Sequence, residues 1–128
     1  VKGLRISSTA RPEIGNSINI LADYLLGRSC NLHLIPVVLS GLSEFSSRVL
    51  TVLHKTTGCG ETITYGELAM RVGMSSPRAV GQAMRRNPIP IVIPCHRVVA
   101  RNGIGGYSAG LHWKKFLLKL ERSIVGTL

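Results

Sequence analysis

Cys95, His96 and Arg97 are the residues of this chain whose types could do chemistry together. A thiol attacks only as its thiolate, and a neighbouring imidazole or cation is what favours that form. His96 supplies a potential base, and His96 and Arg97 potential cations, at the end of the apolar run Pro88-Ile89-Pro90-Ile91-Val92-Ile93-Pro94. Each proline fixes its own φ and biases the residue before it toward extended backbone. The run therefore reads as a rigid, buried, extended segment with Cys95 at its end. Burial alone would keep the thiol protonated, and free cysteine is among the residue types most often simply buried. Adjacent side chains do not ordinarily face each other, so the pair becomes a dyad only where the backbone turns.

The elements that must position these residues can be read from caps and periodicity. Ser43 is an N-cap candidate with Glu44 in the first turn, and Phe45, Val49, Val52 and Leu53 recur at helical spacing. Gly58-Cys59-Gly60 stops that helix. Thr64 with Glu67 forms a capping box for the next, whose apolar face is Tyr65, Leu68, Ala69 and Val72. Gly73 ends it, and Ser75-Ser76-Pro77 starts another, with Pro77 at the first helical position. Val80, Ala83 and Met84 form its buried stripe, and Arg78, Gln82, Arg85 and Arg86 lie elsewhere on its surface. Two short helices joined by a glycine-containing turn make a helix-turn-helix, and the second carries the charge that suits a nucleic-acid groove. After the cysteine, Arg101 to Ser108 is a glycine-rich hairpin or loop placed as a wing. A last helix runs from about Gly110 to Arg122, with Leu111, Trp113, Phe116, Leu117 and Leu120 as its apolar positions and Lys114, Lys115 and Lys119 as its basic ones.

Residues 1–42 are less legible. Val1–Ile6 and Leu32–Leu39 have the Val, Ile and Leu content of strands, and Ile18–Leu26 that of a helix stopped by Gly27. So few residues cannot bury a core alone, and they are expected to lean on the remainder of the chain. Ser40-Gly41-Leu42-Ser43 marks the boundary. The expected class is α+β: a small amino-terminal α/β piece (1–42) packed on a mostly helical winged helix-turn-helix domain (43–128).

Sixteen Lys and Arg against six Asp and Glu leave the 128-residue chain at +10, with a pI near 10.4. Such an excess points to a polyanion, nucleic acid being the commonest. A membrane span is excluded by the absence of any sufficiently long apolar run, and an intracellular location is expected because no basic-then-apolar leader opens the chain. Three cysteines in no scaffold spacing argue against a disulfide framework. Cys30 with His33, and His54 with Cys59, have gaps that a zinc ion could accept, but the spacing is loose and no metal is expected.

Ile93-Pro94-Cys95-His96-Arg97-Val98 closely resembles the active-site signature of the O6-alkylguanine-DNA alkyltransferases. Gly60 to Ala69 resembles that family's first helix of the motif, Arg78 to Met84 with Asn87-Pro88 its recognition helix, Gly106-Tyr107-Ser108 its substrate loop and Leu111 to Glu121 its closing helix. The similarity is strong over 43–121 and thin before it. It implies direct reversal of damage: Cys95 takes the alkyl group from O6-alkylguanine in duplex DNA, once per molecule, with no metal or cofactor. By the same resemblance His96 is the base, acting through a water, Glu121 orients it, Tyr65 donates toward the base, and Asn87 braces the active-site turn. Val98, Tyr107, Ser108, Ala109 and Lys114 would border the substrate. Arg78 would fill the gap left by a nucleotide flipped out through the minor groove, with Thr64, Ala79, Gln82 and Arg85 beside it on the DNA. The acting form would be a monomer, with cooperative assembly on DNA left open. Ala109 stands where many members have glycine, so its methyl is expected to narrow the pocket.

Three other readings compete. A winged-helix regulator would bind DNA with Cys95 merely buried. A lesion sensor would bind O6-alkylguanine without repair, but such proteins lack the cysteine present here. A cysteine hydrolase would turn over and has no need of an arginine-rich helix.

Overall fold

Hydroxyl side chains set where three helices of this chain begin. The computed structural model describes residues 12–74 and 76–126, which form α1 (Pro12–Leu25), α2 (Glu44–Thr56), β1 (Ile63–Thr64), α3 (Tyr65–Arg71), α4 (Pro77–Arg85), β2 (Val98–Val99) and α5 (Leu111–Gly126). Short 3-10 turns lie at Leu32–Leu34 and Cys95–Arg97. Ser43 accepts from the Ser46 amide at 3.1 Å to start α2, and Ser76 from the Ala79 amide at 3.2 Å to start α4. Thr64 and Glu67 bond reciprocally at 3.1 and 3.0 Å, the capping box expected for α3. Gly73, at φ +80°, turns the chain between α3 and α4 in a conformation that other residues rarely adopt.

The helices α2, α3 and α4 bury one apolar cluster, with Val49, Leu50 and Leu53 facing Leu68, Ala69, Val72, Val80 and Ala83. Ile63, Ile93, Cys95 and Val98 close it from the side. β1 and β2 pair in parallel, Ile63 opposite Val98 and Thr64 opposite Val99. This small sheet sets Tyr65, the first residue of α3, near the turn that carries Cys95. A second cluster (Tyr24, Leu32, Ile35, Val92, Leu117 and Ile124) joins α1 to α5. The amino-terminal piece therefore does lean on the rest of the chain.

That piece is not α/β over its described part. Leu32–Leu39 forms no strand: Leu32–Leu34 is a 3-10 turn and residues 35–39 run without a ladder. Pro36 has no N–H to donate, and the Ile35 carbonyl is taken by His54 Nε2 at 3.1 Å. Val1–Ile6, the other expected strand, lies outside the described residues. α1 begins at Pro12, before the expected Ile18, and ends at Leu25 with Gly27 at φ +74° beyond it. The glycine-rich loop is closed by a single antiparallel bridge, Ala100 to Gly103. The architecture among the described residues is mixed and mainly helical, with one two-stranded parallel sheet. None of the helices described is long and apolar enough to cross a membrane.

α5 corrects the expected apolar pattern. Leu111, Trp113 and Phe116 are exposed, whereas its buried stripe is Lys114, Leu117, Glu121 and Ile124. Two charged residues sit on the buried face because each finds hydrogen-bond partners inside: backbone carbonyls for Lys114, and Tyr24, His96 and Arg97 for Glu121.

Candidate active site

The backbone around Cys95 is held by Asn87. Its Nδ2 donates to the Ile93 carbonyl and its Oδ1 accepts from the Ile89 amide, both at 2.9 Å. The Ile93 amide in turn donates to the Ile89 carbonyl at 3.0 Å, and Ile91 sits at φ +77°. A β-branched residue there is strained, a cost of about 1–3 kcal/mol that survives only where surroundings impose it. The expected extended run is thus a closed turn, because the bonds to Asn87 outweigh the extended bias of the prolines. Cys95–Arg97 continues as a 3-10 turn, which sends consecutive side chains different ways. Cys95 borders a cleft, while His96 is fully buried.

Behind the cysteine, Glu121 collects donors. Its Oε2 accepts from His96 Nε2 at 2.5 Å, from the Tyr24 hydroxyl at 2.6 Å and from Arg97 Nη2 at 3.0 Å. Its Oε1 accepts from Arg97 Nε at 2.8 Å and from the Gly60 amide at 3.3 Å. Burial by itself would raise the carboxyl, but hydrogen bonds and charge from His96 and Arg97 outweigh it and hold the group down to about 2. Burial, against the pull of Glu121, moves His96 below its usual range, helped by the charges of Arg97 and Lys114. The stable charge pair is therefore Glu121 with Arg97, and His96 rests neutral. Since a carboxylate only accepts, the short contact puts the proton on Nε2 and leaves Nδ1 as the basic nitrogen. Nδ1 is buried and bonded to no protein group.

Burial likewise pushes the Cys95 thiol up, opposed by hydrogen bonds from Asn87 and Tyr107, by its own backbone and by the charge of Lys114. The thiol is protonated at neutral pH, so attack by this sulfur needs a base.

The cleft beside Cys95 has a volume of about 690 Å³. Of the residues singled out from sequence, Tyr65, Arg78, Gln82, Arg85, Cys95, Tyr107 and Ser108 line it. Pro77, Gly81, Met84 and Gly106 complete the wall. The Tyr65 ring lies between α4 and the glycine loop: a Cβ on Gly81 would meet Tyr65 Cε1 at 4.0 Å, and one on Gly105 would meet the Tyr65 hydroxyl at 3.1 Å. Glycine at 105, with φ +75°, lets the loop close on that ring.

Other expected residues are elsewhere. Lys114 is fully buried behind the loop, its Nζ donating to the Val98 carbonyl at 2.6 Å and the Gly106 carbonyl at 2.8 Å. Burial brings it down to about 8. It pins β2 to the glycine loop and does not border the cleft. Val98 is buried in β2, and Ala109 is exposed outside the cleft wall, so its methyl does not narrow the pocket. Thr64 is spent on the α3 cap, and Ala79 is half-buried on α4. The zinc candidates separate too. The Cys30 and Cys59 sulfurs and a Glu121 oxygen lie within 4.8 Å of one another, without His33 or His54. His54 ties the Val92 and Ile35 carbonyls together at 3.0 and 3.1 Å, and the Glu121 carboxylate is already shared among several donors.

Sequence reasoning missed Tyr24 and the role of Arg97. Tyr24 reads as one more apolar residue of a helix, with no local signal. Arg97 stands beside the Cys-His pair, but that Glu121 would neutralise it needs the fold.

The fold and this site together define a cysteine-centred domain built on a capped helix pair. Residues 44–123 match the 6-O-methylguanine DNA methyltransferase, DNA binding domain, and the chain belongs to that family. It is 44% identical over 121 residues to the methylated-DNA–protein-cysteine methyltransferase of Thermococcus gammatolerans, covering 94% of this chain and 68% of the relative. With the protein of the same description from Methanocaldococcus jannaschii it shares 54% identity over 79 residues, 62% of this chain and 46% of the relative. Among solved structures, Mycobacterium tuberculosis OGT in complex with DNA aligns with a TM-score of 0.75 at 37% identity, over 84% of this chain and 65% of that one. The mixed helical architecture is the one these solved relatives share. The chain spans from about half to two thirds of the length of these relatives.

Proposed function

We propose that this chain repairs O6-alkylguanine in duplex DNA by moving the alkyl group to Cys95. The observation that carries this reading is the position of one thiol: Cys95 borders a cleft walled by the arginine-bearing α4, with the buried His96–Glu121 pair behind it. The Cys95 proton passes to His96 Nδ1, through a water as the resemblance implies. The thiolate attacks the alkyl carbon in line, a carbon–sulfur bond forms, the carbon–O6 bond breaks, and its electron pair stays on guanine. Tyr65 supports proton delivery to the departing base. The thioether has no good leaving group, so each molecule acts once.

The rest of the reading comes from the cleft. Arg78, Gln82 and Arg85 are exposed on α4 and line the cleft, as a helix-turn-helix entering the minor groove would need, with the glycine loop as its wing. A nucleotide flipped out of the stack, at a cost of a few kcal/mol, would enter between Tyr65 and Tyr107, and Arg78 would take its place. Residues 43–128 would form the catalytic and DNA-binding unit and 1–42 its support, in an intracellular monomer that needs no cofactor. The net charge of +10 fits phosphate-driven binding.

The test is intact mass and peptide mapping after mixing the protein with a duplex holding one O6-methylguanine. One methyl on the Cys95 peptide, saturating at one per protein and abolished by Cys95→Ser, is the expected result. Tight binding with unchanged mass would leave a regulator or sensor, and turnover past one would indicate a hydrolase.

A further inference from the structure

Glu121 is held by a residue outside the family match. Tyr24, near the end of α1, is fully buried, and its hydroxyl donates at 2.6 Å to the same Oε2 that accepts from His96 Nε2. The hydroxyl is also 3.5 Å from His96 Nε2 itself. The amino-terminal piece reaches this network a second time, where Arg97 Nη2 donates to Cys30 Sγ at 3.4 Å. The ring of Tyr24 packs among Leu32, Ile35, Val92, Leu117 and Ile124, for which phenylalanine would serve as well. What distinguishes tyrosine here is the O–H aimed at the carboxylate. Burial first, and then the Glu121 charge, keep that phenol protonated far beyond its usual range, so it acts as a permanent donor.

We propose that Tyr24 is a positioning residue for alkyl transfer, setting the basicity and orientation of His96 through Glu121. The proposal rests on the repair reading for its consequence, but its physical content concerns His96 alone. A carboxylate oxygen that shares its charge with a phenol has less to offer an imidazole N–H, so Tyr24 moderates the pull of Glu121 on His96. Without the phenol, His96 holds a proton more tightly and rests charged at a pH where the native protein has it neutral. A base that already carries its proton cannot take one from Cys95. The amino-terminal piece is then part of the reaction machinery as well as a support for α5.

Tyr24→Phe keeps the ring and removes the donor. Single-turnover transfer from the O6-methylguanine duplex should fall roughly tenfold near pH 6 and change less than about twofold near pH 8.5, as an upward move of one histidine midpoint would produce. Proton NMR titration of the His96 ring should show the same upward move, with duplex affinity unaltered. Site-specific 3-fluorotyrosine at position 24, a stronger donor of nearly the same shape, should move the His96 midpoint the other way, and keeps the question answerable if Tyr24→Phe folds poorly. An equal loss of rate at every pH, with the His96 titration unmoved, overturns the proposal and leaves Tyr24 as packing. If the native protein transfers no alkyl group, the repair reading fails, while the His96 titration still decides for or against Tyr24.

Discussion

Replacing Glu121 by glutamine should cost this protein about 3–5 kcal/mol of stability at neutral pH. The carboxylate accepts from Tyr24, His96, Gly60 and twice from Arg97. A glutamine in either orientation turns an NH₂ toward those donors and leaves the buried Arg97 without a counter-charge. A second route gives a similar size. Glu121 falls from its ordinary 4.5 to about 2 on folding, and at about 1.36 kcal/mol per tenfold change in acidity this amounts to about 3 kcal/mol. Because the folded value is the lower one, the contribution is complete above pH 4.5 and fades as pH drops toward 2. Urea unfolding of native protein and Glu121→Gln across pH should therefore give curves far apart at pH 7 that converge in acid, with a melting temperature roughly 10–20 °C lower for the variant at neutrality. A loss below about 1 kcal/mol at pH 7, or a gap independent of pH, would refute the assignment of Glu121 as the hub of a buried charge pair.

The same geometry sets other outcomes. Lys114→Met removes the ammonium that joins the Val98 and Gly106 carbonyls, so hydrogen exchange over residues 100–108 should quicken and transfer should slow, at a stability loss of about 1–3 kcal/mol; unchanged exchange in the loop would show that its fold does not depend on the lysine. Burial keeps His96 neutral below the usual histidine range, so the acid limb of the native transfer rate should have its midpoint below the ordinary 6.5; a midpoint above 6.5 would contradict a neutral resting base. Arg78→Ala should slow repair in duplex DNA far more than reaction with a free benzylated guanine, and equal slowing of both would remove Arg78 from the stack-filling role. Duplex affinity should drop steeply between about 50 and 200 mM salt, measured by anisotropy, and a flat response would contradict binding through phosphates.

What could be read ahead of the structure was what is local in the chain. Ser43, the Thr64–Glu67 box and Pro77 carry their helix starts in their own side chains, and Cys95 and His96 stand out as candidates by residue type, although the 3-10 turn sends the two side chains different ways. The misreadings came where residue type and spacing do not name the bonding partner, whether it lies near in the chain or far. The prolines of 88–94 argued for extension, and only the bonds from Asn87 to Ile89 and Ile93 show a closed turn. Leu32–Leu39 has strand composition but pairs with no strand among the described residues. Lys114 looked like a surface or substrate-facing cation, because nothing in its neighbourhood reveals that two carbonyls wait for it inside. Tyr24 and Glu121 are 97 residues apart, and no local pattern links them.

The buried stripe of α5 makes that helix a fixed gauge. Lys114, which pins the loop, and Glu121, which anchors His96, are separated by two turns at 3.6 residues per turn and so share one face. One residue inserted or deleted between them would swing one of the two about 100° round the axis, out of reach of its partners. Exchange at Lys115, Lys119 or Arg122, which point outward, leaves the spacing intact. This stretch of the chain should then accept many changes of letter and no change of length.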